Sequence, residues 1–199
     1  AKNGKKIVDS IKKKCGINIE IISGMDEGEL LYEVGEVNKY FSNKDSYIYV
    51  DVGGGSTEII VYNNLQKAES KSFQLGTVRM LNVATSMNEV AEFIQYLQKI
   101  KTKYRPVGII GSGGNINKVH KMLGKREGEC LSDKEITELY NTLKGVSVEE
   151  RIEQFKLNPN RADVVVPALE IFSTICKTAN IKKIVVPRIG LSDGIIHHL

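Results

Sequence analysis

The sequence predicts an α/β fold: a mixed five-stranded sheet with helices on both faces. Three observations carry this expectation. Between residues 46 and 75 three strand-like runs, "SYIYVDV", "TEIIVYN" and "QKAESKSFQL", are separated only by "GGGS" and "NNL", turn compositions that suit antiparallel hairpins. Further along, helical patterns alternate with two short apolar runs, "PVGII" and "KKIVVP". No repeat of solenoid length and no low-complexity linker divides the 199 residues, 41% of them hydrophobic and 26% charged, so the elements belong to an ordinary globular chain.

Taken in order, residues 3 to 15 carry Ile7, Val8 and Ile11 at helical spacing, and Gly16 stands where a left-handed cap ends a helix. "INIEIIS" (17–23) alternates and is β-branched, which predicts a strand. "GMDEGELLYEV" then places acidic residues in the first turn of a helix. After the three-stranded meander, "TVRMLN" and "NEVAEFIQYLQKI" read as helices, and "PVGII" as a buried strand that ends in "GSGG" and restarts as the helix "NINKVHKML". Residues 132 to 155 read as two polar helices. "ADVVVPALEIFSTICKTA" reads as a long apolar helix in which Pro167 predicts a kink or an internal start. "KKIVVP" is the fifth strand, and "LSDGIIHHL" closes as a helix. From residue 46 onward the order is ribonuclease-H-like, and such a sheet is mixed and covered by helices.

Composition narrows the function classes. No apolar run approaches the roughly 18 residues of a membrane helix, and the Lys-rich start lacks the apolar core of a signal peptide, so a membrane role is not expected. Cys15, Cys130 and Cys176 are odd in number, far apart and without CxxC or His spacing. Neither a disulfide framework nor a zinc site follows, and a cytoplasmic location is expected. The net charge of +4 comes largely from "KNGKK" and "IKKKC", helix-face lysines without interleaved aromatics, which does not predict nucleic-acid binding. The sequence leaves open whether chains pair as a homodimer.

Two glycine turns carry the chemistry. In "DVGGGSTE", Gly53, Gly54 and Gly55 can take positive φ without steric penalty and leave successive N–H groups unobstructed as an anion nest, with Ser56 and Thr57 adding hydroxyls. A plain hairpin needs one or two glycines, not three. Asp51 and Glu58 stand at the two strand ends, and two carboxylates beside a phosphate repel it unless a divalent cation intervenes. Hard oxygen ligands suit Mg²⁺. In "IIGSGGNINKV", Gly111, Ser112, Gly113 and Gly114 join a strand to a helix whose free N–H groups point to the same side of the sheet. Tight packing explains such a turn equally well, and no GK[ST] follows to make it a Walker sequence.

Together these segments resemble the exopolyphosphatase and guanosine pentaphosphate phosphohydrolase family, a branch of the actin-like ATPase superfamily of acetate and sugar kinases, actin and heat-shock chaperones. The resemblance runs through "IEIISGMDEGELLY", "YVDVGGGSTEI", "FQLGTVRM", "GIIGSGGNI", "NRADVVVPALEIF" and "IVVPRIGLSDGII", in the family's order. It implies an actin-like domain and a Mg²⁺-dependent hydrolase that releases terminal phosphate from inorganic polyphosphate, guanosine pentaphosphate or both. It also implies roles. Glu27 matches the catalytic base, with Asp26 and Glu29 close enough to take that place if the alignment slips. Asp51 and Glu58 match metal-binding or water-positioning carboxylates, Gly53 to Thr57 the phosphate cradle, Gly111 to Gly114 the second turn, and Arg161 a phosphate-binding arginine. "NPNRAD" reads equally as a helix start with Arg161 on the surface. Asn115 stands where the family often has Thr. The family's first phosphate motif, "DxGSNS", does not occur here, so the chain reads as a fragment: residues 1–32 the end of a first domain, residues 33–199 the second, and the fragment alone inactive.

Phosphoanhydride hydrolysis asks a protein mainly for positioning and charge stabilisation, with a carboxylate to deprotonate the attacking water. Two other readings stand beside it. One is a kinase of the same superfamily, which would need an acceptor pocket; the other is a phosphate- or nucleotide-binding module that catalyses nothing.

Overall fold

A computed structural model describes residues 3–19, 40–82 and 85–187. The meander forms as expected: β1 (Ser46–Val52), β2 (Thr57–Asn63) and β3 (Gln66–Phe73) pair antiparallel, with Asp51 opposite Glu58 and Asn63 opposite Gln66. Asn64 and Leu65 both have positive φ, 52° and 61°, so β2 and β3 are joined by the two-residue turn whose twist matches the strands. β4 (Ile109–Ser112) runs parallel to β1, with Asp51 beside Ser112. β6 (Lys183–Val185) lies parallel to β4, and the sheet order is β3-β2-β1-β4-β6-β5.

The sheet therefore has six strands, not five. The extra one, β5 (Leu131–Ser132), is two residues long and pairs antiparallel with Ile184 and Lys183. Its second residue already caps the next helix, α5 (Asp133–Lys144): the Ser132 side chain accepts from the Glu135 N–H while Glu135 reaches back to the Ser132 N–H. Two residues before a capping box leave no alternation to read.

Both faces of β1 are buried, which is why it reads as an almost unbroken apolar run. Ile48, Val50 and Val52 join Ile59, Val61, Phe73, Ile109 and Ile184 in the main core. The helices described cover that face: α3 (Met87–Tyr104), α4 (Gly114–Met122), α5, α6 (Val148–Phe155) and α8 (Val165–Ala179) all add apolar side chains to it. Tyr47, Tyr49, Ile60, Tyr62, Ile110 and Val185 make a second cluster on the opposite face with Phe41, whose ring stacks on Tyr47 at 4.9 Å. Alternation puts Asp51 and Glu58 on this second face, in line with Tyr49 and Ile60. The helices expected on that face are not among the described residues.

Pro167 marks an internal start rather than a kink: α7 (Pro159–Ala162) ends, and α8 begins two residues before the proline, where its missing N–H lies in the helix's first turn. The N-terminal helix α1 (Gly4–Cys15) ends at Gly16 with φ 70°, as its sequence requires. The strand over 17–23 from residue 20 on, the helix after it, the closing helix and the 32/33 boundary lie outside the described residues. No described helix is long and apolar enough to cross a membrane.

β3 is an edge strand, and charged side chains of α3 cover it. Lys99 donates to Glu69 at 2.6 Å and Lys71 to Glu92 at 2.6 Å. Partial burial alone would raise the Glu69 pKa, but the hydrogen bonds from Lys99 and Tyr104 and the charges of Lys99 and Lys103 outweigh it and hold the carboxyl below its ordinary value. A depressed carboxylate stabilises the fold above its unfolded pKa, and that contribution is lost as pH falls through the folded value. Glu69→Gln should thus lower stability at pH 7 by about 0.5–1 kcal/mol, the range of partly exposed pairs. Urea denaturation of both proteins checks this, with the difference vanishing in acid.

Candidate functional site

The first glycine turn is shaped by the helix that follows the meander. None of Gly53, Gly54 and Gly55 has positive φ, contrary to the nest expected from the sequence. Their small size is used for close approach instead. Helix α2 (Thr77–Leu81) docks its N-terminus on the turn: Thr77 N–H donates to the Gly53 carbonyl at 3.0 Å, and Val78 and Arg79 N–H donate to that of Gly54 at 2.9 and 3.1 Å. Arg79 Nε donates to the Gly55 carbonyl at 2.9 Å, and its Nη2 to Gln74 Oε1 at 2.8 Å. A Cβ on Gly54 would come 3.2 Å from Val78 Cγ2. In a trans peptide the N–H points opposite to the preceding carbonyl. With three successive carbonyls held on the α2 side, the N–H groups of Gly54, Gly55 and Ser56 are turned away from it. Gly54 and Gly55 are exposed, and among the described residues no hydrogen bond takes their N–H.

The two hydroxyls of the turn are committed elsewhere. Thr57 is fully buried and donates to the Leu75 carbonyl at 2.5 Å, which ties β2 to the segment leading into α2. Ser56 Oγ donates to Glu58 Oε1 at 2.7 Å, as does Ser72 Oγ at 3.1 Å. The side chains of Ser56 and Thr57 therefore brace the turn, where the sequence suggested hydroxyl donors for a phosphate. Glu58 is 8% exposed, and both bonds fall on one of its oxygens.

The second turn closes on the first. Gly113 has φ 94°, and a Cβ there would run into the Asp51 carboxylate, so only glycine lets the start of α4 approach the end of β1. Gly111 belongs to the core: its missing Cβ faces Ile116 at 3.1 Å and Phe172 at 3.4 Å, so its smallness serves packing. Gly114 makes room for a cation, since its Cβ would lie 2.9 Å from both Cζ and Nη1 of Arg161. Arg161 Nη1 donates to Asn115 Oδ1 at 3.3 Å, and Asn115 Nδ2 donates to the Val52 carbonyl at 3.5 Å. Arg161 sits on the four-residue α7, which Arg151 anchors by donating to the carbonyls of Ala162 and Leu143, each at 3.0 Å.

The structure thus gathers Asp51, Glu58, Ser112, Gly113, Gly114 and Arg161 around the end of β1, next to the turn of Gly53–Gly55. Glu27, with Asp26 and Glu29, lies outside the described residues. Sequence reasoning missed Gly76 and Arg79, which hold the first turn; the signal was the "LGT" that starts α2. Among the described residues no three His, Cys, Asp or Glu side chains cluster as a metal site. A pair of carboxylates, one with an oxygen free of described hydrogen bonds, still fits Mg²⁺, which keeps several waters and takes further ligands from phosphate oxygens. A thiol nucleophile is not part of this site: Cys176 lies in the core, and burial pushes its pKa up to about 12.

The model of the Ppx/GppA phosphatase family matches residues 1–199. The guanosine-5'-triphosphate,3'-diphosphate pyrophosphatase of Aeromonas salmonicida is 24% identical over 212 residues, covering 100% of this chain and 42% of that protein. Its counterpart in Vibrio cholerae is 23% identical over 216 residues, with the same shares. The chain spans about two fifths of the length of these curated relatives. Among solved structures, an exopolyphosphatase from Cytophaga hutchinsonii superposes with a TM-score of 0.79 at 24% identity, over 98% of this chain and 69% of that one. The Aquifex aeolicus Ppx/GppA family member gives 0.76 at 24% identity, over 100% and 69%. These likenesses establish that the chain shares the α/β fold of those structures.

Proposed function

The chain belongs to the Ppx/GppA phosphatase family, and on that premise we propose that it forms one wall of a site that hydrolyses phosphoanhydrides, releasing terminal phosphate from inorganic polyphosphate or guanosine pentaphosphate. The observation that carries the reading is the orientation of the first turn. The carbonyls of Gly53, Gly54 and Gly55 are all engaged by α2 and Arg79, which turns the next three N–H groups outward. Fixed donors of this kind suit a phosphoryl group whose charge develops on its oxygens, because they need no reorganisation during reaction.

In this reading the N–H groups of Gly54, Gly55 and Ser56 and the start of α4 bind phosphoryl oxygens. Arg161 adds a full positive charge beside Gly114. Asp51 and Glu58 would hold Mg²⁺, which when bound neutralises and polarises the phosphoryl oxygens. Glu27 takes the proton from the attacking water as the water oxygen joins phosphorus and the bridging P–O bond breaks. Residues 33–199 form the second of two domains in this reading, with residues 1–32 belonging to the first. A cytoplasmic location fits three free cysteines, one of them exposed.

The test is release of inorganic phosphate from polyphosphate and from guanosine pentaphosphate, with and without Mg²⁺, by this chain and by a longer polypeptide carrying the family's first phosphate motif. Mg²⁺-dependent release by the longer polypeptide is expected. Binding of neither substrate by it would sink the reading. Transfer from a nucleotide to a small acceptor would make it a kinase, and binding without release a non-catalytic module.

A further inference from the structure

We propose that Asn115 is a positioning residue that fixes Arg161 across the two glycine turns while leaving the arginine's charge uncompensated for the ligand. The inference rests on the phosphate-site reading above and assigns a role to a residue outside the turns themselves. Asn115 is 6% exposed, and its amide is used at both ends: Oδ1 accepts from Arg161 Nη1 at 3.3 Å, and Nδ2 donates to the Val52 carbonyl at 3.5 Å. Val52 lies between Asp51 and Gly53, where β1 passes from the carboxylate to the first turn. One side chain therefore links the strand end that sets Asp51, the first turn of α4, and the guanidinium lying against Gly114.

The chemistry of the acceptor matters. Buried arginines are most often held by carboxylates, which fix the guanidinium but cancel its charge. An amide oxygen fixes it and cancels nothing. Among the described residues no carboxylate is ion-paired with Arg161, whereas Lys71, Lys99, Lys103, Lys125 and Lys182 each have one within 4 Å. Asparagine is also suited to the double role. A carboxylate of the same shape has no donor for the Val52 carbonyl, and a threonine hydroxyl ends one atom short of the reach that spans both partners.

The experiment is calorimetric titration of this chain with tripolyphosphate across a range of salt, for wild type, Asn115→Asp, Asn115→Ala, Arg161→Ala and the Asn115→Asp/Arg161→Ala pair, with thermal melts to confirm folding. Asn115→Asp keeps the shape and supplies the carboxylate. It should weaken binding by about tenfold or more and flatten the salt dependence, because a charge-assisted contact is lost. In the Arg161→Ala background the same change should have a much smaller effect. Equal binding by wild type and Asn115→Asp, or full additivity of the two changes, would overturn the inference. If wild type does not bind tripolyphosphate, this wall alone does not hold phosphate, the phosphate-site reading rests on the longer polypeptide, and the positioning role is then judged on the Arg161 Nη1–H resonance in low-temperature NMR spectra. That resonance should be sharp and protected in wild type and lost to exchange in Asn115→Ala; an unchanged signal would refute the positioning role.

Discussion

Gly76→Ala should destabilise the fold by about 2–4 kcal/mol and abolish tight phosphate binding, although Gly76 is neither in a glycine turn nor in a strained conformation. Its φ of −134° and ψ of 162° are ordinary extended values that alanine adopts readily. On backbone entropy alone the change would stabilise the protein by about 0.4–1 kcal/mol. Space decides the outcome. A Cβ at this position would overlap the backbone of Gly54, Gly55 and Ser56, which cannot rotate aside as a side chain would. To relieve it, α2 must withdraw from the turn. That strains or breaks the bonds from Thr77, Val78 and Arg79 to the Gly53 and Gly54 carbonyls, each contributing about 0.5–1.5 kcal/mol net. The overpacking term of about 1–3 kcal/mol adds to this and exceeds the entropic gain. Melting temperature should drop by roughly 5–15 °C for a chain of this size. The loss of binding has a separate cause: carbonyls released from α2 no longer hold the N–H groups outward. A variant with unchanged melting and unchanged tripolyphosphate affinity would refute this account of the cradle.

The same residues show where the sequence was legible. Alternation, hairpin turns and helix caps located the meander, α1, α3, α4 and β4, because these signals are local: a period of two or 3.6 residues, or a single residue with φ above zero. The convergence of Asp51 with the second turn was also readable in outline, since a parallel β1–β4 pair brings Asp51 beside Ser112. What stayed hidden depends on contacts between segments distant in sequence. Three glycines in a row suggest backbone freedom, but the structure uses them for the approach of α2, some twenty residues away. The hydroxyl of Thr57 looked like a ligand group until Leu75 was placed beside it. In the sequence Arg161 reads equally as a surface residue at a helix start or as a residue of the second turn, and only the contacts with Gly114 and Asn115 put its side chain against that turn. β5 was invisible because two residues make no pattern.

A Glu27→Gln change in a polypeptide that carries the complete site should lower turnover on polyphosphate by about 10²–10⁴, or roughly 2.7–5.5 kcal/mol of transition-state stabilisation, while KM and melting temperature barely move. The asymmetry follows from what the substitution removes. Glutamine matches the shape of glutamate and can still orient a water by hydrogen bonding, but it cannot accept the proton that leaves as phosphorus is attacked. In the proposed site ground-state binding belongs to other groups, the outward N–H donors and Arg161, so substrate affinity should be spared. Arg161→Ala should do the reverse and raise KM more than it lowers kcat, if the cation mainly binds phosphates that do not react. A helix-dipole role for Glu27 is worth only about 0.3–1 kcal/mol of stability and predicts no kinetic effect, so the two readings differ by orders of magnitude in rate. Asp26→Asn and Glu29→Gln serve as neighbours in the same acidic run. If either of them, rather than Glu27→Gln, produces the loss of turnover, the base lies at that position; if all three retain activity, no carboxylate of this segment takes the proton.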